Sequence, residues 1–346
     1  MSDAMLLVTA LRDPQSVAAL DADGWTTLLT MARAEVLIGA LAIRLDGQRV
    51  PDGVAAILGD AKINSAYQRK AALWEANRAA AALAGYDGRV VLMKGTAYVA
   101  ANMRAGEGRS IGDLDIMVAE EDLREVEKML LAAGWEWVKE DEYDDAYYRE
   151  HMHELPPLIH RTRDRMIDVH HTILPKTARP MPDAKAMSDA AVRLSPFQEG
   201  GLEEGLYTFS PEDMFIHSAA HLIADGDLAG GLRNLWDMHC LLTAFTAADA
   251  AYWTQLKQRA AHHQLFPAVS RAVRLAQYLY GTDIPADWRG ISAADRLFIH
   301  RLTARNGRGQ QTRKFTRFAF YIRSHLLRMP PLMLAKHLWT KWRKGN

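Results

Sequence analysis

The sequence predicts an α+β fold in which a small mixed sheet sits between an N-terminal and a C-terminal helical region. Three observations predict it. Apolar residues recur at three- and four-residue intervals through much of residues 1–85, the period of a one-sided helix. Short runs with β-branched residues, separated by glycine-bearing loops, then punctuate residues 89–170. Beyond residue 205 the helical period returns behind a clear start signal.

Taken in order, the first strong helical stretch follows Asp23-Gly24. A second runs from about Pro51 through the alanine-rich NRAAAALAGY, with Gly85 as its stop. No catalytic constellation lies here. Arg89-Val90-Val91-Leu92-Met93 fits a buried strand, followed by Lys94-Gly95-Thr96 and the helical AYVAANMR. After the loop AGEGRSIG, residues 113–118 alternate polar and apolar, as a half-buried strand does. The helix EDLREVEKMLLAAG stops at Gly134. Residues 158–160 and 166–170, joined by a polar turn, predict an antiparallel hairpin. Residues 176–205, broken by Pro180, Pro182, Pro196, Gly200, Gly201 and Gly205, read as a linker. Ser210-Pro211-Glu212-Asp213 combines an N-cap serine, a proline at the first helical position and an acidic third position. Helices are expected at 211–224, 230–245, 251–280 and 293–305. The expected units are thus a helical region (1–85), a core (86–175), the linker, and a helical domain with a basic tail (206–346).

The composition, 49% hydrophobic and 24% charged over 346 residues, excludes wholesale disorder and fibrous architectures. One cysteine, Cys240, excludes a disulfide scaffold and a cysteine-ligated zinc ribbon, and fits a reducing compartment. The N-terminus lacks the basic region of a secretory signal. No run of about 18 apolar residues predicts a spanning helix, so a cytoplasmic location is expected. The formal net charge is zero but uneven. Residues 296–346 carry 13 Lys or Arg and no Asp or Glu, leaving 29 basic against 42 acidic residues in 1–295. Such a tail either docks on its own acidic body, which is the expected outcome, or meets an anionic partner such as RNA or a lipid surface.

Asp113 and Asp115, two apart on one predicted strand, share a face. Adjacent carboxylates repel unless a cation lies between them. Mg²⁺, a hard ion that accepts one or two carboxylates plus substrate phosphates, is the natural candidate. Asp168 sits mid-strand between Ile167 and Val169, where an unpaired carboxylate is disfavoured. If the two strands are neighbours, three carboxylates could hold two metal ions about 3.5–4 Å apart. Upstream, the helix after Lys94-Gly95-Thr96 offers free amides to an anion, and Gly95 allows close approach to the backbone. Arg109, four residues before Asp113, could reach the same phosphates. Lys94 reads either as a phosphate contact or as a solvated strand end.

Other groups have simpler readings. Arg233 and Asp237, four apart on a helix, read as an intrahelical ion pair, and Trp236 as core. His217, His221 and Asp225 recur every four residues, a spacing that suits a metal, but the glutamate of an H-E-x-x-H site is missing. A core- or cleft-facing histidine pair is the plainer expectation. His170 and His171 point to opposite faces of a strand and receive no role. His151 and His153 read as a solvent-exposed pair.

The segments LMKGTAY, RSIGDLDIMV, MIDVHHTI, SPEDMFIHSAAHLIAD and LRNLWDMHCLL, spread over about residues 85–245, together resemble bacterial nucleotidyltransferases of the NTP_transf_5 type, within the DNA polymerase β-like superfamily. The usual Gly-Ser is Gly-Thr here, which keeps the hydroxyl. The resemblance implies a nucleotidyltransferase core in which Asp113 and Asp115 bind catalytic Mg²⁺ and the nucleotide triphosphate. It implies that Asp168 completes a second metal site, that Gly95 and Thr96 cradle the β- and γ-phosphates, and that Arg233 and Asp237 serve the cleft. The expected reaction is Mg²⁺-dependent transfer of a nucleoside monophosphate from an NTP, with ATP the expected donor, to an unidentified hydroxyl acceptor, small molecule or protein, as pyrophosphate leaves. Two other readings stand beside it: a degenerate nucleotide-binding or interaction module, and a metal-dependent hydrolase built on His217, His221 and Asp225.

Overall fold

The computed structural model describes residues 3–138, 142–195, 204–331 and 334. Seven strands form one mixed sheet: β1 Val90–Leu92, β2 Leu114–Met117, β3 Trp135–Trp137, β4 Leu158–His160, β5 Met166–His170, β6 Val192–Arg193 and β7 Leu206–Thr208. Their order across the sheet is β3-β4-β5-β2-β1-β7-β6. β2 runs antiparallel to β1 and parallel to β5, and β1 runs parallel to β7. The expected hairpin is present as the antiparallel pair β4–β5. β1 and β2 are buried along their whole length. A carboxylate within them therefore requires a partner.

Four helices precede the sheet: α1 Ala4–Arg12, α2 Ala22–Ala34, α3 Ile38–Arg44 and the 31-residue α4 Asp52–Ala82. Gly85, at φ +115°, turns the chain out of α4 as expected of a residue without a Cβ. The strands are interleaved with α5 Lys94–Ala100, α6 Leu123–Ala132, α7 Glu142–His151 and α8 Ala184–Asp189. Within 176–205, read from sequence as a linker, α8 and β6 are formed, and β6 pairs with β7 at the sheet edge; residues 196–203 lie outside the described ones.

The C-terminal helices are α9 Pro211–Ala219, α10 Gly231–Ala248, α11 Tyr252–His262, α12 Phe266–Tyr280, α13 Ala293–Leu302 and α14 Lys314–Arg328. Ser210 caps α9 by accepting the Asp213 amide at 3.2 Å. Ser292 and Asp295 form a reciprocal capping box on α13. The stretch 251–280 is two helices rather than one. Gln264 takes a left-handed φ of +59°, and Pro267 occupies the first turn of α12, where its missing N–H costs nothing. Helix α9 continues into a π-helical turn, Ala220–Asp225. One large buried apolar cluster runs from α1 through the sheet to α14, beside a small one of Ala72, Val99 and Ile111, and among the described residues no helix is long and apolar enough to cross a membrane.

The described part of the basic tail lies on the acidic body. Arg328 pairs with the buried Asp225 at 2.7 Å, and Arg323 donates to the Ile223 carbonyl at 2.6 Å. The Thr177 hydroxyl bonds the Arg328 carbonyl. Residues 332–333 and 335–346 of the tail lie outside the described residues.

Candidate functional site

Register brings the acids together. β2 and β5 pair in parallel with Asp115 directly opposite Asp168, so both side chains rise from the same face of the sheet. Asp113 stands just before β2. One carboxylate oxygen from each of Asp113, Asp115 and Asp168 lies within 4.8 Å of the other two. Burial grades across the trio: Asp113 is exposed, Asp168 half-buried and Asp115 3% exposed. The cluster therefore opens to solvent on one side, as a substrate site must.

Each carboxyl has a different electrostatic setting. Burial alone would raise the pKa of Asp115. The Lys94 ammonium, 2.5 Å from Oδ1, and His170 Nε2, 3.2 Å from the same oxygen, instead pull that carboxyl well below the usual range. Asp168 has no such cation. Burial, followed by the charges of Asp115 and Glu154, pushes it up to about 7. Burial would lower Lys94, but Asp115 outweighs it and the ammonium is held charged. Lys94 reaches this position from a left-handed backbone, φ +47°, at the first residue of α5.

A second layer was not foreseen. His170, two residues after Asp168 and so on the same strand face, bridges Asp115 and Glu154, with Nε2 3.4 Å from Glu154. His153, expected to be exposed, is largely buried with its ring 5.2 Å from that of His170. His153, Glu154 and His170 also bring one ligand atom each within 4.8 Å of one another. Period-two spacing from Asp168 was the available signal for His170. Nothing in the sequence marks Glu154, which arrives through a bridge to β5.

The phosphate-binding candidates gather on the other side of Lys94. Gly95 is packed under Arg109: a Cβ there would lie 1.8 Å from Arg109 Nη1. Thr96 is buried. Arg109 crosses the Tyr98 ring and donates from Nε to Asp237 Oδ2 at 2.9 Å. The intrahelical pair expected of Arg233 and Asp237 is thus replaced by a tertiary one. Asp237, buried on α10, is taken by Arg109, and Arg233 Nε is buried with no hydrogen-bond partner. Burial and the neighbouring Arg109 lower the pKa of Arg233, with Asp237 and Asp113 acting in the opposite sense. Among the described residues nothing accepts from that N–H, and a buried guanidinium donor is suited to an anion's oxygen. Trp236 is buried, packed on Tyr280, as expected of a core residue.

The residues of the hydrolase reading do not assemble. His217, His221 and Asp225 are not among the described groups whose ligand atoms converge: positions 217 and 225 are about two helical turns apart, and Asp225 is paired with Arg328. His217 is buried against Phe209, and desolvation together with the Lys94 charge keeps it neutral, well below its ordinary pKa. Desolvation, followed by the Lys94 charge, lowers His221 to about 3, so it too stays neutral.

No curated protein matches the chain. A family model described as "uncharacterised nucleotidyltransferase" matches residues 21–281, a span that takes in α2 through α12 and contains the whole acidic cluster together with Arg109, Arg233 and Asp237. A mixed sheet with helical flanks, three converging carboxylates able to hold a metal, and a match over most of the length lead to one conclusion: the chain belongs to this family of nucleotidyltransferases.

Proposed function

We propose that the chain is a divalent-metal-dependent nucleotidyltransferase that moves a nucleoside monophosphate, AMP in the first instance, from an NTP to a hydroxyl-bearing small molecule or protein. The observation that carries the reading is the convergence of Asp113, Asp115 and Asp168 within 4.8 Å around a position that already attracts a cation, the Lys94 ammonium. Three hard oxygen donors, one of them open to solvent, fit Mg²⁺, and the trio would hold it. When bound, a pair of such ions neutralises charge on the attacking and leaving oxygens.

The rest falls to the chain's own side chains. Arg109 and Arg233 would hold the triphosphate oxygens, with Arg109 kept in place by Asp237. Gly95 leaves the room that the Arg109 guanidinium fills. Lys94 would turn from Asp115 towards phosphate as the metal enters. The acceptor oxygen attacks the α-phosphorus, and the bond to the bridging oxygen breaks. Pyrophosphate leaves with that electron pair, and the acceptor's proton passes to Asp168. Asp168, half-buried in the trio and outside the Lys94 ion pair, is the carboxylate best placed for that last role.

The test is incubation with α-labelled NTPs, Mg²⁺ and cell extract. Wild type should transfer label to an acceptor and release one pyrophosphate per label, whereas Asp168→Asn should do neither. Nucleotide binding without pyrophosphate release from any NTP would leave the binding-module reading in its place.

A further inference from the structure

Helix α14 is docked the unusual way round. Two of its basic side chains are turned towards the body: Arg323 lies over the Phe298 ring at 5.0 Å and bonds the Ile223 carbonyl, and Arg328 pairs with Asp225. Phe320 is buried edge-on against Phe298, ring centroids 4.9 Å apart. The opposite face is apolar and uncovered. Phe315 is 93% exposed, Phe318 64%, Leu326 50% and Ile322 39%, and Ala319 is exposed between them. Positions 315, 318, 319, 322 and 326 form one stripe at helical period. Lys314 and Arg308, both exposed, lie at the edge of the stripe or just ahead of it and make no ion pair among the described residues.

We infer that this stripe is a docking surface for an anionic lipid bilayer, with Phe315, Phe318, Ile322 and Leu326 entering the headgroup–acyl boundary and Arg308 and Lys314 meeting lipid phosphates. Charge decides among the possible occupants. A second copy joined about a twofold axis would set one basic helix against another. The chain's own residues 332–346 carry Lys336, Lys341, Arg343 and Lys344 and no acid, so they bring no counter-charge to Arg308 and Lys314. The occupant must be anionic. A stripe that mixes flat aromatic rings with Ile322 and Leu326, and presents no hydrogen-bonding group between them, matches acyl chains better than stacked bases. The body, with its excess of acidic residues, is repelled by such a surface, which orients the molecule with α14 downwards. This is peripheral attachment, in keeping with the absence of a membrane-crossing helix among the described residues.

The experiment is co-sedimentation of the full chain with vesicles of phosphatidylcholine alone or with about 30% phosphatidylserine. Wild type should pellet with the anionic vesicles and detach at high salt. Phe315→Ser/Phe318→Ser, at positions too exposed to matter for folding, should bind them about tenfold more weakly. Arg308→Glu/Lys314→Glu should lose the preference for phosphatidylserine. Equal binding by wild type and the serine double variant overturns the inference. So does failure of wild type to pellet with anionic vesicles, whether accompanied by a dimer that the serine variant dissolves, by retention on an RNA homopolymer, or by vesicle binding that appears only when the chain is stopped after Pro331.

Discussion

Lys94 lies 2.5 Å from Asp115 and makes that contact from a backbone conformation that disfavours any side chain. A left-handed non-glycine residue costs about 1–2 kcal/mol, and it persists here because the ammonium supplies the cation that the buried carboxylate demands. On the proposed metal-dependent reading, metal and lysine would compete for one oxygen. Lys94→Met should raise Mn²⁺ affinity about tenfold, one unit of charge competition at the site, while lowering turnover by removing a phosphate contact. Titration calorimetry against steady-state kinetics separates the two effects; unchanged metal affinity would mean that the ammonium does not guard the site.

Asp168 predicts a pH dependence with a definite sign. Its pKa is about 7 in the folded chain and near 3.9 when unfolded. Between those values the folded state holds a proton that the unfolded state has lost. Metal-free stability is therefore highest below about pH 4 as far as this group is concerned, and falls as pH rises towards 7. Melting temperature should decline from pH 5 to 7 in wild type and decline less in Asp168→Asn. Mg²⁺ should restore stability at pH 8, where it neutralises the ionised trio, and not at pH 5, where a proton already occupies Asp168.

Asp115→Asn should behave differently from Asp168→Asn, although both abolish transfer. The sequence alone suggests that removing either charge relieves repulsion. In the folded chain that repulsion is already offset at Asp115 by Lys94 and His170. Neutralising Asp115 strands a largely buried ammonium, a loss of about 3–5 kcal/mol, whereas neutralising Asp168 removes an unpaired charge and stabilises the metal-free protein near pH 8. Urea denaturation of the two variants side by side checks the ordering.

Gly95→Ala tests how the arginine is seated. The new methyl would overlap Arg109 Nη1 and push the guanidinium off Asp237. Overpacking of this kind costs about 1–3 kcal/mol. In a double-mutant cycle with Arg109→Ala the penalty should shrink, since the obstructing group is gone. A full, additive penalty would mean that the methyl clashes with something else.

The acidic trio was legible because strand period, an Asp-x-Asp pair and a mid-strand aspartate are local signals that survive folding. The helix starts at Ser210 and Ser292 were legible, or findable, for the same reason. What stayed hidden depends on tertiary partners. Glu154 joins the site from a loop, and Asp237 leaves its helical neighbour Arg233 for an arginine far back in the chain. Leu206–Thr208 is too short to announce itself as a strand, yet it pairs with β1 in the middle of the sheet. The break at Gln264 carried a signal, Pro267, that the long apolar periodicity of 251–280 masked.

The pairing of Arg109 with Asp237 also sets the smallest piece that can work alone. A fragment cut to residues 86–175 would keep all three clustered aspartates and forfeit α10, leaving Arg109 with no anchor and no Arg233 alongside it. On the proposed reading, such a fragment transplanted into another scaffold, or expressed by itself, would bind ions without gripping a nucleotide's tail. The smallest piece that keeps this pairing extends from Arg109 into α10.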